Sequence, residues 1–382
     1  MEPPPEANIS NKGSDFFESD AEIAKRLAKD KKSKEVEQLG EPIKITSKVL
    51  NMKLVQGENP KYAYIAESGF IVRKVNLETG KFVKTFKGHK GPVTCIDIIY
   101  NSKGEDEFIL TGSWDKTIIK WDVKTKEMVK EYNNHSDFIK CIAYEPINHT
   151  FISGSSDKTI RHIEVESGNQ IKYLTEHTRA VEDICFEDYT YTTFYSCSSD
   201  SSIRKWNLKT GECLYTFNGH LTSVYKILVD IEENNLWSVS ADKTVRRWDL
   251  DTLKNDLTID QADFVKTCIK VGGNIITGSR DDKIRVYDIS SGKLIKEVDF
   301  HFDEVTSLFN IKSIVFSGSL DCTVKRFDLL DNTSKFIKEI KEVTNQPKVK
   351  PKKKPVPKPQ PTGDDLLTPE ELAELEDLMN DD

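Results

Sequence analysis

The sequence predicts an all-β protein assembled from repeated four-stranded units. Six aspartates recur at intervals of about 40 residues, each six positions before a bulky apolar or aromatic residue. The runs between them are rich in Val, Ile, Thr and aromatic residues and are separated by turn-forming segments such as NLKTGE and DISSGK. A repeat of this length buries its core between neighbouring units, so the period determines the fold class. The aspartates are Asp115, Asp157, Asp200, Asp242, Asp281 and Asp321, and their partners are Trp121, Ile163, Trp206, Trp248, Tyr287 and Phe327.

Seven units are predicted between residues 45 and 341. The first is degenerate, because Gly69 replaces the repeat aspartate and Ile65 replaces a strand hydroxyl, but it keeps the strand lengths and the closing turn. The last unit needs an outer strand. NTSKFIKEIKEV aligns with KTKEMVKEYNNH of the second unit, so it is favoured over the amino-terminal EPIKIT.

The GH and WD elements of these units resemble the WD40-repeat β-propeller family over residues 45–341. The resemblance implies a seven-bladed propeller whose blades hold a hydrogen-bonded tetrad of His, Ser or Thr, Asp and Trp. Matching complete sets are His89, Thr111, Asp115 and Trp121; His177, Ser196, Asp200 and Trp206; and His220, Ser238, Asp242 and Trp248. Partial sets are His135, Ser153 and Asp157; His301, Ser317 and Asp321; and, with Gln261 where His is expected, Thr277, Asp281 and Tyr287.

These Ser, His and Asp residues superficially resemble a hydrolase triad. An active site needs one such set, whereas here the histidine recurs in five units, which favours a structural network. The sequence contains none of the common nucleotide-binding, metalloprotease or hydrolase motifs, so we predict no enzyme activity, no cofactor and no metal site. His149 and His162 lie outside the pattern and have no nucleophile or ligand partner nearby in sequence.

The composition is that of a globular protein, with 37% hydrophobic residues among 382 and a formal net charge of -8. Residues 362–382 hold nine carboxylates and no basic side chain, so the rest of the chain is nearly neutral. The longest apolar runs are too short for a membrane span, and the amino terminus does not resemble a secretory signal. Seven cysteines spread singly suggest reduced thiols. We therefore expect a cytoplasmic or nuclear location.

Both ends of the chain are predicted to extend beyond the propeller as flexible segments that carry short helices. Residues 1–40 are polar and contain a possible helix from a Ser19–Glu22 capping box to Gly40, either frayed in solvent or docked on a partner or on the propeller's side. Residues 345–363 form a linker rich in lysine and proline, which is stiff or acts as a nuclear import signal. Residues 364–382 form an acidic amphipathic helix with one apolar face, solvated or docked in a partner's groove: Leu372, Leu375, Leu378 and Met379.

Candidate partner-binding residues on the propeller come from the same resemblance, because the family binds ligands on the narrower face. Trp114 replaces the usual small residue before the repeat aspartate, and Phe138 lies in a nearby loop. Lys266 and Arg280, with Lys140 and Arg179, could form a basic pocket for a phosphorylated or acidic peptide.

The favoured function is a non-catalytic scaffold or adaptor subunit of a multiprotein complex. It would bind one partner on the propeller face and another through the acidic helix. The alternative is a nucleic-acid-associated factor in RNA processing or ribosome maturation. That factor would use a basic rim formed by residues just before the tryptophan position: Lys74, Lys120, His162, Lys205, Arg247 and Arg326.

Overall fold

The computed structural model describes residues 20–57, 60–331 and 337–339. Within these ranges the chain forms one α-helix and seven antiparallel sheets. The contacts divide the chain into two compact units, residues 1–340 and 341–382, and the second lies outside the described ranges. The acidic helix and its four apolar residues therefore remain predictions.

The seven sheets follow one another along the chain, and each is a blade of a β-propeller. The first four blades contain, in chain order from the innermost to the outermost strand, β2 Val49–Leu54, β3 Tyr62–Glu67, β4 Ile71–Asn76 and β5 Phe82–Lys87; β6 Val93–Tyr100, β7 Asp106–Ser113, β8 Ile118–Asp122 and β9 Met128–Tyr132; β10 Ile139–Glu145, β11 Thr150–Ser155, β12 Ile160–Glu164 and β13 Gln170–Leu174; and β14 Val181–Phe186, β15 Thr193–Ser198, β16 Ile203–Asn207 and β17 Cys213–Phe217.

The last three blades differ from one another at their outer edges. They contain β18 Val224–Asp230, β19 Asn235–Ser240, β20 Thr244–Asp249 and β21 Lys254–Asp260; β22 Val265–Val271, β23 Asn274–Ser279, β24 Ile284–Asp288, β25 Leu294–Val298 and β29 Ile337–Glu339; and β26 Val305–Ile311, β27 Ile314–Ser319, β28 Thr323–Asp328 and β1 Ile43–Lys44. The prediction of a seven-bladed propeller is confirmed, and the degenerate first unit is a complete blade.

The amino-terminal segment closes the ring, contrary to the sequence prediction. Ile43 and Lys44 of β1 pair with Val324 and Thr323 of β28, and the Ile45 amide donates to the Cys322 carbonyl at 2.8 Å. Ile45 is buried between the last and first blades, so its apolar side chain fixes this pairing. EPIKIT is therefore the outer strand of the seventh blade.

The carboxy-terminal segment that was predicted for this role joins a different sheet. Strand β29 pairs antiparallel with β25 and becomes the fifth strand of the sixth blade. The resemblance of NTSKFIKEIKEV to an outer strand was a correct indication of strand structure. It could not indicate which blade edge the strand would occupy.

The hydrophobic core is divided among the interfaces between consecutive blades. Each of the seven clusters combines residues from two neighbouring sheets, for example Tyr64 and Phe86 of the first blade with Ile109 and Trp121 of the second. The inner strands pack side by side around the axis, and β26 of the last blade contacts β2 of the first. Because each sheet buries both faces against neighbours, the ring has no free sheet face.

The helix α1, Asp20–Val36, packs against loops of the sixth and seventh blades at the end of the propeller that carries the tetrad turns. Lys32 lies 2.8 Å from Asp282 and 2.6 Å from Asp299, and Lys29 lies 2.5 Å from Asp303. At the helix end, buried Lys325 donates to the Val36 carbonyl at 2.7 Å, where a cation complements the helix dipole. These contacts agree with the docked alternative for this helix, and Ser19 of the predicted capping box lies outside the described ranges.

Gly40 allows the chain to turn from α1 towards β1. The helix ends at Val36, four residues before the predicted stop. Gly40 has φ of 70°, and its carbonyl accepts from the Arg326 amide at 2.7 Å. A Cβ there would lie 3.1 Å from the Lys325 Cβ, so both the backbone angle and the close approach favour glycine.

Candidate functional site

The three predicted complete tetrads are each connected by hydrogen bonds. In the fifth blade, His220 Nδ1 lies 2.8 Å from Asp242, His220 Nε2 lies 2.7 Å from Ser238, and the Trp248 indole donates to Ser238 at 2.8 Å. The same contacts, at 2.7 to 2.9 Å, join His89, Thr111, Asp115 and Trp121, and His177, Ser196, Asp200 and Trp206.

The partial sets keep part of this network. His135 contacts Asp157 and Ser153 at 2.9 and 2.8 Å, and His301 contacts Asp321 and Ser317 at 2.7 and 2.8 Å. In both blades an apolar residue, Ile163 or Phe327, packs where the indole would stand.

In the sixth blade a glutamine and an arginine replace the histidine's contacts. Gln261 Oε1 accepts from Tyr287 at 3.0 Å and from Thr277 at 3.3 Å. Asp281 is no longer bonded to an imidazole and instead pairs with Arg285 at 2.5 Å. Arg285 was missed by the sequence reasoning, because arginine also stands four residues after the repeat aspartate in the third, fourth and fifth blades and does not distinguish the sixth.

Burial and pairing fix the ionisation of these groups. Burial raises the pKa of Asp242, but hydrogen bonds from His220 and Thr244 outweigh it and hold the pKa of this carboxyl below its ordinary range. Burial lowers the pKa of His220 by more than Asp242 raises it. The pKa of His301, beside Asp321, is lowered for the same reason. His301 is 0% exposed. No substrate can reach such an imidazole, so the arrangement orients strands and turns.

Trp114 and Phe138 form an exposed aromatic pair on the face that carries the tetrad turns. Their rings are stacked, with centroids 5.3 Å apart and planes inclined by 17°. Trp114 is 42% exposed and Phe138 is 38% exposed, so each ring covers part of the other and presents the rest to solvent. The sequence reasoning named both residues but could not place them in contact, because they belong to neighbouring blades.

The four candidate basic residues do not form an open basic pocket. Lys140 pairs with Glu182 at 3.3 Å, and Lys266 pairs with Glu304 at 3.4 Å. Arg280 pairs with Asp263 at 3.2 Å and lies over the Phe264 ring. Arg179 is exposed, and no carboxylate of the described ranges pairs with it. Three of the four charges are thus already balanced by side chains of the protein.

The predicted basic rim is also neutralised. Each lysine or arginine before the tryptophan position has a carboxylate partner: Lys74 with Asp106 and Lys120 with Glu166 at 2.6 Å, Lys205 with Glu187 at 2.5 Å, Arg247 with Asp256 at 2.7 Å, and Arg326 with Glu41. Several of these cations also lie over aromatic rings, such as Lys120 over Phe108 at 4.2 Å. Their aliphatic stems pack in the protein, as expected of long side chains beside apolar surface.

A central channel runs between the inner strands and encloses a cavity of about 630 Å³. Asp97 in its wall pairs with Lys53 at 2.8 Å and accepts from the Tyr144 amide at 2.7 Å. Asp183 pairs with Lys226 at 3.0 Å and accepts from the Ile227 amide at 3.2 Å. Each aspartate thus ties its own inner strand to the next one. The sequence reasoning missed both, because Asp97 is the fifth residue of VTCIDII and Asp183 the third of VEDICF, so the two do not recur at one repeat position.

The described ranges contain no cluster of three or more His, Cys, Asp or Glu side chains arranged to hold a metal ion. No helix in the same part of the chain has the length and apolar character needed to cross a membrane. His162, one of the two histidines outside the repeat pattern, contacts Thr150 at 2.8 Å, and the other, His149, contacts the Tyr144 hydroxyl at 2.9 Å.

Comparison with known proteins identifies the family. The family model described as WD domain, G-beta repeat matches residues 80–122, 126–163, 168–207 and 211–249. An uncharacterized WD repeat-containing protein of Schizosaccharomyces pombe is 35% identical over 97% of this chain and 100% of its own length. The chain therefore belongs to the WD40-repeat family, whose propellers typically act as scaffolds in complexes.

Other relatives match only in part. A CCR4-associated factor 4 homolog of Vanderwaltozyma polyspora is 25% identical over 61% of this chain, and the match spans 28% of that protein. The SAGA complex subunit Spt8 of Schizosaccharomyces pombe is 33% identical over 20% of this chain and 14% of its own length.

Proposed function

We propose that this chain is a non-catalytic scaffold subunit that holds a protein partner on the tetrad-bearing face. The Trp114–Phe138 stack carries the proposal. An exposed pair of aromatic rings offers a large rigid apolar area at little cost in side-chain entropy, and such residues are enriched at the centre of protein interfaces. The burial of every tetrad histidine supports the non-catalytic part.

The acidic carboxy-terminal helix is proposed to recruit a second partner. The sequence predicts a helix in which the four apolar residues share one face, with a proline at the first helical position after a capping threonine. The matched relative Spt8 is named as a subunit of a multiprotein complex, and we propose that this chain also works within a complex, with partners of its own. The seven unpaired cysteines support a location in the cytoplasm or nucleus.

The test is a quantitative affinity purification of four forms of the full protein. These are the wild type, the W114A/F138A variant, a chain truncated at residue 345, and the matched control Leu221→Ala. Leu221 is an equally apolar and 82% exposed residue of another loop on the same face. We expect the double variant to lose one set of partners by about tenfold or more, the truncation to lose another, and the control to lose none. Retention of every partner by the double variant would refute the role of the stack.

The nucleic-acid alternative has less support, because the rim cations are already paired with carboxylates. It predicts RNA affinity that falls steeply with salt, since such binding releases counterions from phosphates. A salt-independent or absent affinity would exclude it.

A further inference from the structure

Three consecutive turns on the end of the propeller opposite the tetrads carry exposed apolar side chains. In antiparallel blades successive turns lie at opposite ends of the sheet, so the β10–β11, β14–β15 and β18–β19 turns lie away from the repeat aspartates. Their tips expose Ile147, Tyr189 and Ile231, which are 62%, 79% and 46% exposed. We call residues 145–150, 187–192 and 230–235 the three-turn surface.

The equivalent turns of other blades lack this character. The corresponding tips are NSKGE in the second blade, two glycines at 272–273 in the sixth, and Lys312 with Ser313 in the seventh. None of these tips carries a large apolar side chain, so among the second to seventh blades the apolar tips are confined to the third, fourth and fifth. Adjacent blades place them side by side, and Pro146, Tyr191 and Ile231 border the same mouth of the central channel.

The three-turn surface is also acidic. Its segments read EPINHT, EDYTYT and DIEENN and contain six carboxylates but no lysine or arginine. Lys205 pairs with Glu187 at 2.5 Å, and Lys270 pairs with Asp230 and, at 3.4 Å, with Glu233. Asp188 and Glu232 have no cationic partner among the described residues. An excess of negative charge therefore surrounds the apolar tips.

Contacts within the protein fix the conformation of the turns in the absence of a partner. Glu145 accepts from the Ile147 amide at 2.6 Å and from the Thr150 hydroxyl at 3.0 Å. Asp188 accepts from the Thr190 amide at 2.8 Å, and the Tyr191 ring packs on Phe186 with centroids 4.9 Å apart. Ordered turns lose little entropy on binding, so their exposed side chains are suited to recognition.

We propose that the three-turn surface docks a basic peptide segment of a partner protein, one in which lysine or arginine alternates with aliphatic or aromatic residues. The carboxylates attract the cations, and the apolar tips contact the intervening side chains. The same negative charge repels phosphates, which excludes nucleic acid as the occupant. This site is separate from the Trp114–Phe138 stack and does not depend on the function proposed for it.

The probe is a fluorescein-labelled peptide in which lysine alternates with leucine and tyrosine, compared with its counterpart that has glutamate in place of lysine. Binding to the full chain is followed by fluorescence anisotropy. We expect the lysine peptide alone to bind, and its affinity to fall as the ionic strength rises from about 0.01 M to about 0.15 M, because the Debye length shortens from about 30 Å to about 8 Å.

Two variants test the apolar and the acidic components separately. The variants I147S/Y189S/I231S and E232K/E233K should each weaken binding of the lysine peptide by about tenfold or more. Matched controls are Leu221→Ser on the opposite face and E127K/E131K, which reverses two exposed carboxylates on and beside the outer strand of the second blade. These should bind as the wild type does. Because every substituted side chain is exposed, an unchanged melting temperature verifies folding.

Three results would overturn the proposal. One is equal binding of the lysine and glutamate peptides. Another is unchanged affinity in both surface variants. The third is a concentration-dependent dimer of the wild type, seen by light scattering and lost in I147S/Y189S/I231S, which would assign the surface to a second copy of this chain.

Discussion

At the scale of single residues, each complete tetrad is a directed chain of donors. The Trp248 indole donates to Ser238, and we assign the Ser238 hydroxyl as donor to His220 Nε2, which leaves Nδ1–H to donate to Asp242. This assignment requires a neutral imidazole, in agreement with the lowered pKa of His220. The indole N–H, the hydroxyl and both imidazole nitrogens of this tetrad thus have hydrogen-bond partners within the protein.

Replacing Trp248 with Phe should lower the free energy of unfolding by about 1–2 kcal/mol, because Ser238 loses its donor while the aromatic packing is largely kept. The last blade already holds a phenylalanine, Phe327, at this position, so the fold should survive. Urea denaturation measures the change. The matched substitution Trp114→Phe removes an exposed indole and should have almost no effect on stability.

Stability should decrease as the pH falls below about 6.5, the ordinary pKa of histidine. Because folding lowers the pKa of His220 and His301, the unfolded chain binds more protons below this pH, and the linkage favours unfolding. The aspartates act in the same direction at lower pH, since their pKa values are lowered in the folded protein.

Urea midpoints measured from pH 8 down to about pH 5 test this dependence. The variant His301→Gln, which copies the residue type of Gln261, should show a smaller slope with pH whatever its absolute stability. An unchanged slope would contradict the assignment of a neutral buried imidazole.

At the scale of elements, the strand that closes the ring should contribute more to the stability of the protein than the strand added to the sixth blade. Ile45→Pro removes the amide that donates to Cys322 and a buried side chain, which should cost about 2–4 kcal/mol. Lys338→Pro alters β29 on the outer edge of an already complete blade and should cost less than about 1 kcal/mol. Melting temperatures of the two variants compare them directly, and the reverse order would contradict closure by β1.

The sequence could predict strands and tetrads because these depend on local pattern. It could not predict pairings set by distant contacts. Ile43 pairs with Val324 of the last blade, which is far away in the sequence. No feature of EPIKIT predicts which strand it will join. Lys140 and Glu182 belong to neighbouring blades and form an ion pair. The sequence alone could not show that this charge of the predicted basic pocket is balanced. The stacking of Trp114 on Phe138 could not be predicted either, because the two residues also belong to neighbouring blades.

At the scale of the whole molecule, the two interaction surfaces that we propose lie on opposite ends of the propeller's blades. One is the Trp114–Phe138 stack and the other is the acidic three-turn surface. Between them lie inner strands fixed by hydrogen bonds such as that from the Tyr144 amide to Asp97. We see no element with two arrangements that would couple the two surfaces within the described ranges.

Binding at the two surfaces should therefore be independent. The W114A/F138A variant should bind the lysine peptide as tightly as the wild type, and I147S/Y189S/I231S should retain the partners that need the stack. Anisotropy titrations measure peptide binding to the three-turn surface, and affinity purification of the same two variants measures partner binding to the stack. A change of more than about fivefold at the unmodified surface would reveal coupling between them.

Closure by β1 also dictates an order of events during protein synthesis. Lys44 and its partner Thr323 are 279 positions apart, and at translation rates of roughly 5–20 residues per second the earlier one waits roughly 15 to 60 seconds for the later one. Throughout that interval the first blade has no neighbour on one side. The nascent toroid therefore remains an open arc, with apolar surface accessible to chaperones, until its earliest strand is joined by its last blade.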